Sequence, residues 1–156
     1  MNEWVDALVN DEEHIRAERR LSEALREHNL EVTRALSPTK WNELIRGVED
    51  AVTEYNTVHA QLGTLPRLGF AKEPTGTLMI RRNYLPLVRV DAHLDNAAQR
   101  ILFAFTFGDL GNESGSFGFL IDAATGDLVL TWQSRPISTG EATEILLRPL
   151  LIQSVS

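Results

Sequence analysis

Apolar positions in the first sixty residues recur at helical spacing, and those in the remainder alternate. Leu21, Leu25, His28, Val32 and Ala35 step by 4, 3, 4 and 3, which keeps them on one stripe of a helix. Trp41, Ile45, Val48, Val52, Tyr55, His59 and Leu62 repeat the alternation along a second stripe. Between the stripes, Ser37-Pro38 predicts a break. A Ser side chain can accept a bond from unpaired N–H groups, and Pro fits the first helical position, whose N–H needs no partner. Gly63 can end the second helix at low steric cost. A link this short between two amphipathic helices predicts an antiparallel hairpin. Trp4, Val5 and Leu8 suggest a separate short helix over 3–9, with Asn10 or Asp11 capping the next one.

After Gly63 the period falls to two. Val88, Val90, Ala92 and Leu94 alternate with Leu87, Arg89, Asp91 and His93, the pattern of a strand with one wet face. Ile101, Phe103, Phe105 and Phe107 alternate with Leu102, Ala104 and Thr106, so this strand is apolar on both faces and is expected at the centre. Further strands are expected over 117–121 and 128–132, joined by a turn in which Gly126 suits a left-handed position. Shorter ones are expected near 65–70 and 77–82, with Pro66, Pro74 and Pro86 marking edges and ends. The short connections favour an antiparallel meander. Ser138 and Glu141 form a capping-box pattern with Ile137 as a hydrophobic staple, so a last helix starts near Thr139 and is kinked or ended by Pro149.

The expected fold class is therefore α+β, in one domain spanning 1–156. It comprises an N-terminal antiparallel helical hairpin (1–62), a five- to six-stranded antiparallel meander sheet (64–133) and a C-terminal helix (138–153). A chain of 156 residues can bury a core of this kind without covalent staples. It has no Cys, which excludes disulfide scaffolds and thiolate metal sites.

Charge is uneven: residues 1–60 hold 13 acids and 7 bases, and 61–156 hold 9 and 8. With a net charge of −7 and only Lys40 and Lys72 as lysines, the chain offers no basic stripe for nucleic acid. No apolar stretch reaches the roughly 20 residues that span a bilayer, so no membrane partner is expected, and the acidic start of the chain points to a cytoplasmic location. The glycines from Gly108 to Gly118 fit neither nucleotide-binding pattern, and Asp109 and Glu113 among them would repel phosphate. A flexible hairpin loop is expected there, and no cofactor.

Two constellations carry candidate chemistry. In the expected hairpin, His59 would come near Glu18 and His14, a set of metal-ligand types, although H-E-x-x-H is absent and only three ligands are offered, so no metal is expected. Arg89, Asp91 and His93 share one strand face, with Arg81 and Arg82 on the neighbouring strand. Roofed over, that row could transfer protons or bind an anion; open, it is the wet side of a sheet.

The segment 117–152 contains Phe119-Leu120-Ile121-Asp122, the turn leading into Gly126-Asp127-Leu128-Val129-Leu130, and the capped helix from Ser138. It resembles the closing hairpin and helix of type III secretion chaperone-like proteins of the YbjN type. The resemblance implies a twisted antiparallel sheet flanked by helices that dimerises and binds protein segments without catalysis. In that family a helix precedes this hairpin, where here only 109–115 intervenes.

The expected function is a non-catalytic, chaperone-like interaction or adaptor module acting as a homodimer. A central strand apolar on both faces needs more cover than the helices supply. Self-association is expected through Trp41, Leu44, Ile45 and Val48 or through the open sheet face, with another protein as a further partner. The alternative is a small enzyme or ligand-binding domain using Arg89, Asp91 and His93.

Overall fold

The computed structural model describes residues 2–61 and 67–151, with the backbone only for Asp109. Leu62, Gly63 and the beginning of the strand expected near 65–70 lie outside the described residues. Helix α1 runs from Glu3 to Ala60 as one element of 58 residues. The expected hairpin and the expected short helix over 3–9 are both corrected by this, because the two apolar stripes lie end to end on a single helix that passes through Pro38.

A Ser-Pro step can start a helix or sit inside one. Inside, proline leaves the carbonyl of Arg34 without its usual donor, at about 3 kcal/mol. A hairpin would avoid that cost only if the first stripe had a surface to fold back on. The available surface is the second stripe, and the sheet already occupies it: Trp41, Leu44, Ile45, Val48 and Val52 are all buried in the chain's own core. Ser37, the expected cap, is fully buried in a helical turn and its hydroxyl has no hydrogen-bond partner among the described residues.

Seven strands complete the sheet: β1 (Leu68–Lys72), β2 (Leu78–Arg82), β3 (Arg89–Asp95), β4 (Arg100–Thr106), β5 (Asn112–Ile121), β6 (Leu128–Trp132) and β7 (Arg135–Ile137). They are antiparallel and lie in sequence order, so β4 is central as its two-faced pattern requires. The count exceeds expectation because β7 is too short, and too marked by Pro136, to show a period. β5 is also longer than expected. Its first half, Asn112–Phe117, replaces the expected loop and pairs with β4, while its second half pairs with β6. The glycines there make room within the sheet. A Cβ on Gly115 would lie 2.7 Å from Cζ of Phe103, and one on Gly118 would lie 2.6 Å from Oγ1 of Thr131.

Register divides the side chains into two faces. Ile80 pairs with Val90, Val90 with Phe105, Ile101 with Phe117 and Phe119 with Leu130, which collects the large apolar residues on one side. Both helices cover that side. Val48 and Val52 of α1 and Leu146 and Leu150 of helix α2 (Thr139–Leu151) complete the core. The helices approach closely at Gly47, where an added Cβ would be 3.1 Å from Oγ1 of Thr143. Asn56 ties the end of α1 to the sheet: Oδ1 accepts from the backbone N–H of Arg67 and Leu68, and Nδ2 donates to the carbonyl of Leu68.

Helix α2 begins as its capping box predicts, with the N–H of Glu141 donating to Oγ of Ser138 at 3.0 Å. Pro149 does not end it; α2 continues to Leu151 with Leu150 in the core. The β5–β6 turn also forms as expected, with Gly126 at φ 73° and the N–H of Asp122 bonded to the carbonyl of Asp127. Among the described residues no helix lies over the opposite sheet face. Leu102, Ala104 and Thr106 of β4 are half-buried by their neighbours within the sheet.

Two substitutions test this packing. Gly115→Ala should lower stability by about 1–3 kcal/mol through overpacking against Phe103, and pairing it with Phe103→Leu should recover part of the loss; urea midpoints measure both. Ser37→Ala removes an unpartnered buried hydroxyl from a helix interior and should be neutral or stabilising by about 0.5–1 kcal/mol. A helix beginning at Ser37 would instead lose about 1 kcal/mol with its cap, so the same titration separates one helix from two.

Candidate functional site

The polar row lies on the uncovered face of the sheet. Strand alternation puts Arg89, Asp91 and His93 on that face, and pairing sets Arg81 directly opposite Arg89. Nε of Arg89 donates to Oδ2 of Asp91 at 3.0 Å. His93 is exposed, makes no hydrogen bond among the described residues and stands beside Leu102 on β4. The depression around Asp91 and His93 is floored by Leu102 and Ala104 and edged by Ser114 and Ser116. A general base needs an orienting partner and exclusion of water to act strongly. This row has one ion pair and an open side. Arg82, expected beside the row, points to the opposite face.

The expected metal set does not assemble. Nε2 of His14 and Oε1 of Glu18 are 3.1 Å apart, one turn from each other on exposed helix. His59 belongs to the same helix, roughly 60 Å along it from Glu18 at the ordinary rise, and its ring lies 4.4 Å from that of Tyr55. Convergence required the hairpin, and the continuous helix removes it. Among the described residues no three His, Cys, Asp or Glu side chains are grouped as a metal would need. Trp41, Leu44, Ile45 and Val48, expected at an interface between copies, are covered by the chain's own sheet and α2.

Arg82 anchors a cluster that the sequence did not single out. It is 2% exposed. Nε donates to the carbonyl of Pro86 at 2.8 Å, Nη2 donates to the same oxygen, and Nη1 donates to the carbonyl of Leu150 at 3.4 Å. Its charge thus meets the last turn of α2, where the helix dipole is negative. The guanidinium of Arg67 lies 3.9 Å over the ring of Tyr84, and that of Arg82 lies 4.8 Å from it. Burial raises the Tyr55 phenol above its ordinary value, with Tyr84 adding to the effect. Burial also pushes Tyr84 upward, but hydrogen bonding to Arg67 and Tyr55 and the charges of Arg67 and Arg82 leave it below the ordinary value. Arg67 is raised by hydrogen bonding to Tyr84. These contacts join β2, the 83–88 loop and α2; they serve the fold. The available signal was an arginine in an otherwise inward-facing strand position.

A cleft of about 830 Å³ opens where β5 parts from the β6–β7 hairpin, between Phe103, Phe105, Trp132, Ile145 and the charged pair Glu144–Arg148. Its acids and bases are mixed, which gives it no single electrostatic preference.

The largest exposed feature is the first part of α1. Every described residue from Asn2 to Glu31 is exposed, and burial becomes complete only at Ser37. This arm carries large apolar side chains into solvent, among them Trp4 (66% exposed), Leu8, Ile15, Leu21 (72%) and Leu25 (61%). An isolated helix in water is stabilised weakly, and most helical stability in proteins comes from packing of an apolar face. Among the described residues the arm has no such packing within its own chain. Among the described residues no helix is long and apolar enough to cross a membrane. Comparison with protein-family models, with curated proteins and with solved structures gives no match for this chain.

Proposed function

We propose that the protein is a non-catalytic interaction module that acts as a homodimer, with the projecting half of α1 as its association element. One observation carries this reading: the 29 helical residues from Glu3 to Glu31 bear large apolar side chains and are all exposed, with nothing among the described residues packed over them. A helix that carries this many large apolar side chains into solvent is unusual on a monomer. A symmetric pair is the commonest way to bury it, since twofold association needs only one self-complementary patch. The body is suited to display. It presents a mixed-charge cleft beside α2 on the helix-covered side and an open sheet face on the other, surfaces for a second protein once the arms have paired. The resemblance of its closing hairpin and helix to chaperone-like proteins points to the same class of function.

Light scattering at micromolar concentration should return about twice the chain mass of 17.5 kDa. Replacing Leu8 and Leu25 together by Asp should return a monomer and lower helical circular dichroism as the arm melts, with the near-ultraviolet signal of the body's tryptophans retained. A dimer of unchanged strength in that variant would place the association elsewhere.

A further inference from the structure

The arm carries a seam that is symmetric end to end, exposed along its length except at the half-buried Val32. A stripe stepping by alternating fours and threes from Trp4 passes through Leu8, Asp11, Ile15, Glu18, Ser22, Leu25, Asn29 and Val32 to Leu36. Reversed, it has the same sequence of apolar and polar positions. We infer that two copies of this chain pair through their arms as an antiparallel coiled coil in which Trp4 of one lies opposite Leu36 of the other. The inference rests on the proposed self-association and fixes its direction and register.

Antiparallel pairing in this register matches every layer in kind. Leu8 meets Val32 of the second copy and Ile15 meets Leu25, while Asp11 meets Asn29 and Glu18 meets Ser22. A strict alternation of fours and threes also averages 3.5 residues per turn, the period of a left-handed two-helix seam. Parallel pairing would instead stack Asp11 on Asp11 and Glu18 on Glu18 in the seam, two like-charge layers of a kind that association must desolvate. It would also set the acids of residues 3–13, a stretch with no base, against themselves.

The flanks agree. On one side of the antiparallel seam Glu12 faces Arg26 of the second copy, twice by symmetry, and on the other Leu21 meets Leu21 near the axis. Arg19 meets its own copy near the axis as the one like-charge contact of the flanks, with Glu23 one turn away on each helix. The extent agrees as well. The seam ends at Leu36, one residue before α1 becomes buried against the body. At about 100° per residue, Leu36 points about 100° away from Ser37 and about 140° from Trp41. Leu36 thus leaves the helix on a different side from Trp41.

The chain has no cysteine, so introduced thiols report the pairing directly. Leu8→Cys and Val32→Cys are prepared separately, then mixed reduced, re-equilibrated and oxidised. The expected result is a disulfide-linked dimer that contains one chain of each kind, with neither variant cross-linking to itself. Ile15→Cys with Leu25→Cys should behave in the same way. Glu12→Arg should weaken association roughly tenfold through its two symmetric contacts, and adding Arg26→Glu should restore it. Self-linked Leu8→Cys or Val32→Cys dimers would overturn the direction, and dimers by light scattering without either mixed cross-link would overturn the register. Both results leave self-association standing. A monomer by light scattering would remove that reading and this one together.

Discussion

The apolar face of the sheet can be covered only once, and it is covered by the second half of α1 together with α2. That constraint orders the rest of the molecule. Leu44, Val48 and Val52 share one buried core with Ile80, Val90 and Phe117, so the stripe that could have received a folded-back helix is used up. The first thirty-odd residues then have no internal surface to join. Continuing through Pro38 costs one backbone bond, whereas reversing would leave two helices with one packing surface between them. The cost of proline is tolerated because the residues after it are held by the core.

Elements whose periodicity reflects burial are legible in the sequence, and those shaped by contacts elsewhere are not. β3, β4 and β6 alternate because one face of each is packed under helices, and alternation is visible in sequence. The first half of β5 is different. Asn112-Glu113-Ser114-Gly115-Ser116 carries no apolar rhythm, and its extended state depends on pairing with β4 and on Gly115 yielding space to the ring of Phe103. Glycines that read as loop residues were answering a neighbour distant in the chain. The same reasoning applies at Ser37-Pro38, where local chemistry allowed two outcomes and tertiary packing chose.

The candidate sites divide along the same line. Arg89, Asp91 and His93 share a strand face because a period of two requires it, and that much was legible. Whether the face was roofed depended on where α1 went. The grouping of His14, Glu18 and His59 depended on the hairpin and disappeared with it. Trp41, Leu44, Ile45 and Val48, expected at an interface between copies, lie in the chain's own core, because an apolar stripe does not say whether its partner is the same chain or another. The exposed apolar surface lies one stripe earlier, at Leu21 and Leu25, where the sequence shows helical spacing. Arg82 was hidden for a related reason: a charge facing inward is explained only by the carbonyls of Pro86 and Leu150 that receive it.

Separation of the two apolar stripes has a consequence for any assembly built through the arm. The seam that ends at Leu36 and the core stripe that starts at Trp41 point in different directions, so pairing of arms leaves the core stripe undisturbed. In an antiparallel pair the arm spans roughly 50 Å at the ordinary helical rise, and the two sheet bodies stand at opposite ends of it. Each body then keeps its open β3–β4 face and its cleft beside Trp132, presented twice at a fixed separation. Two weak contacts held on a stiff spacer bind a partner of matching span far more tightly than either contact alone, and gain nothing for a partner that cannot reach both. The length of the uncovered helix, rather than the chemistry of any one pocket, would then set which partners are selected.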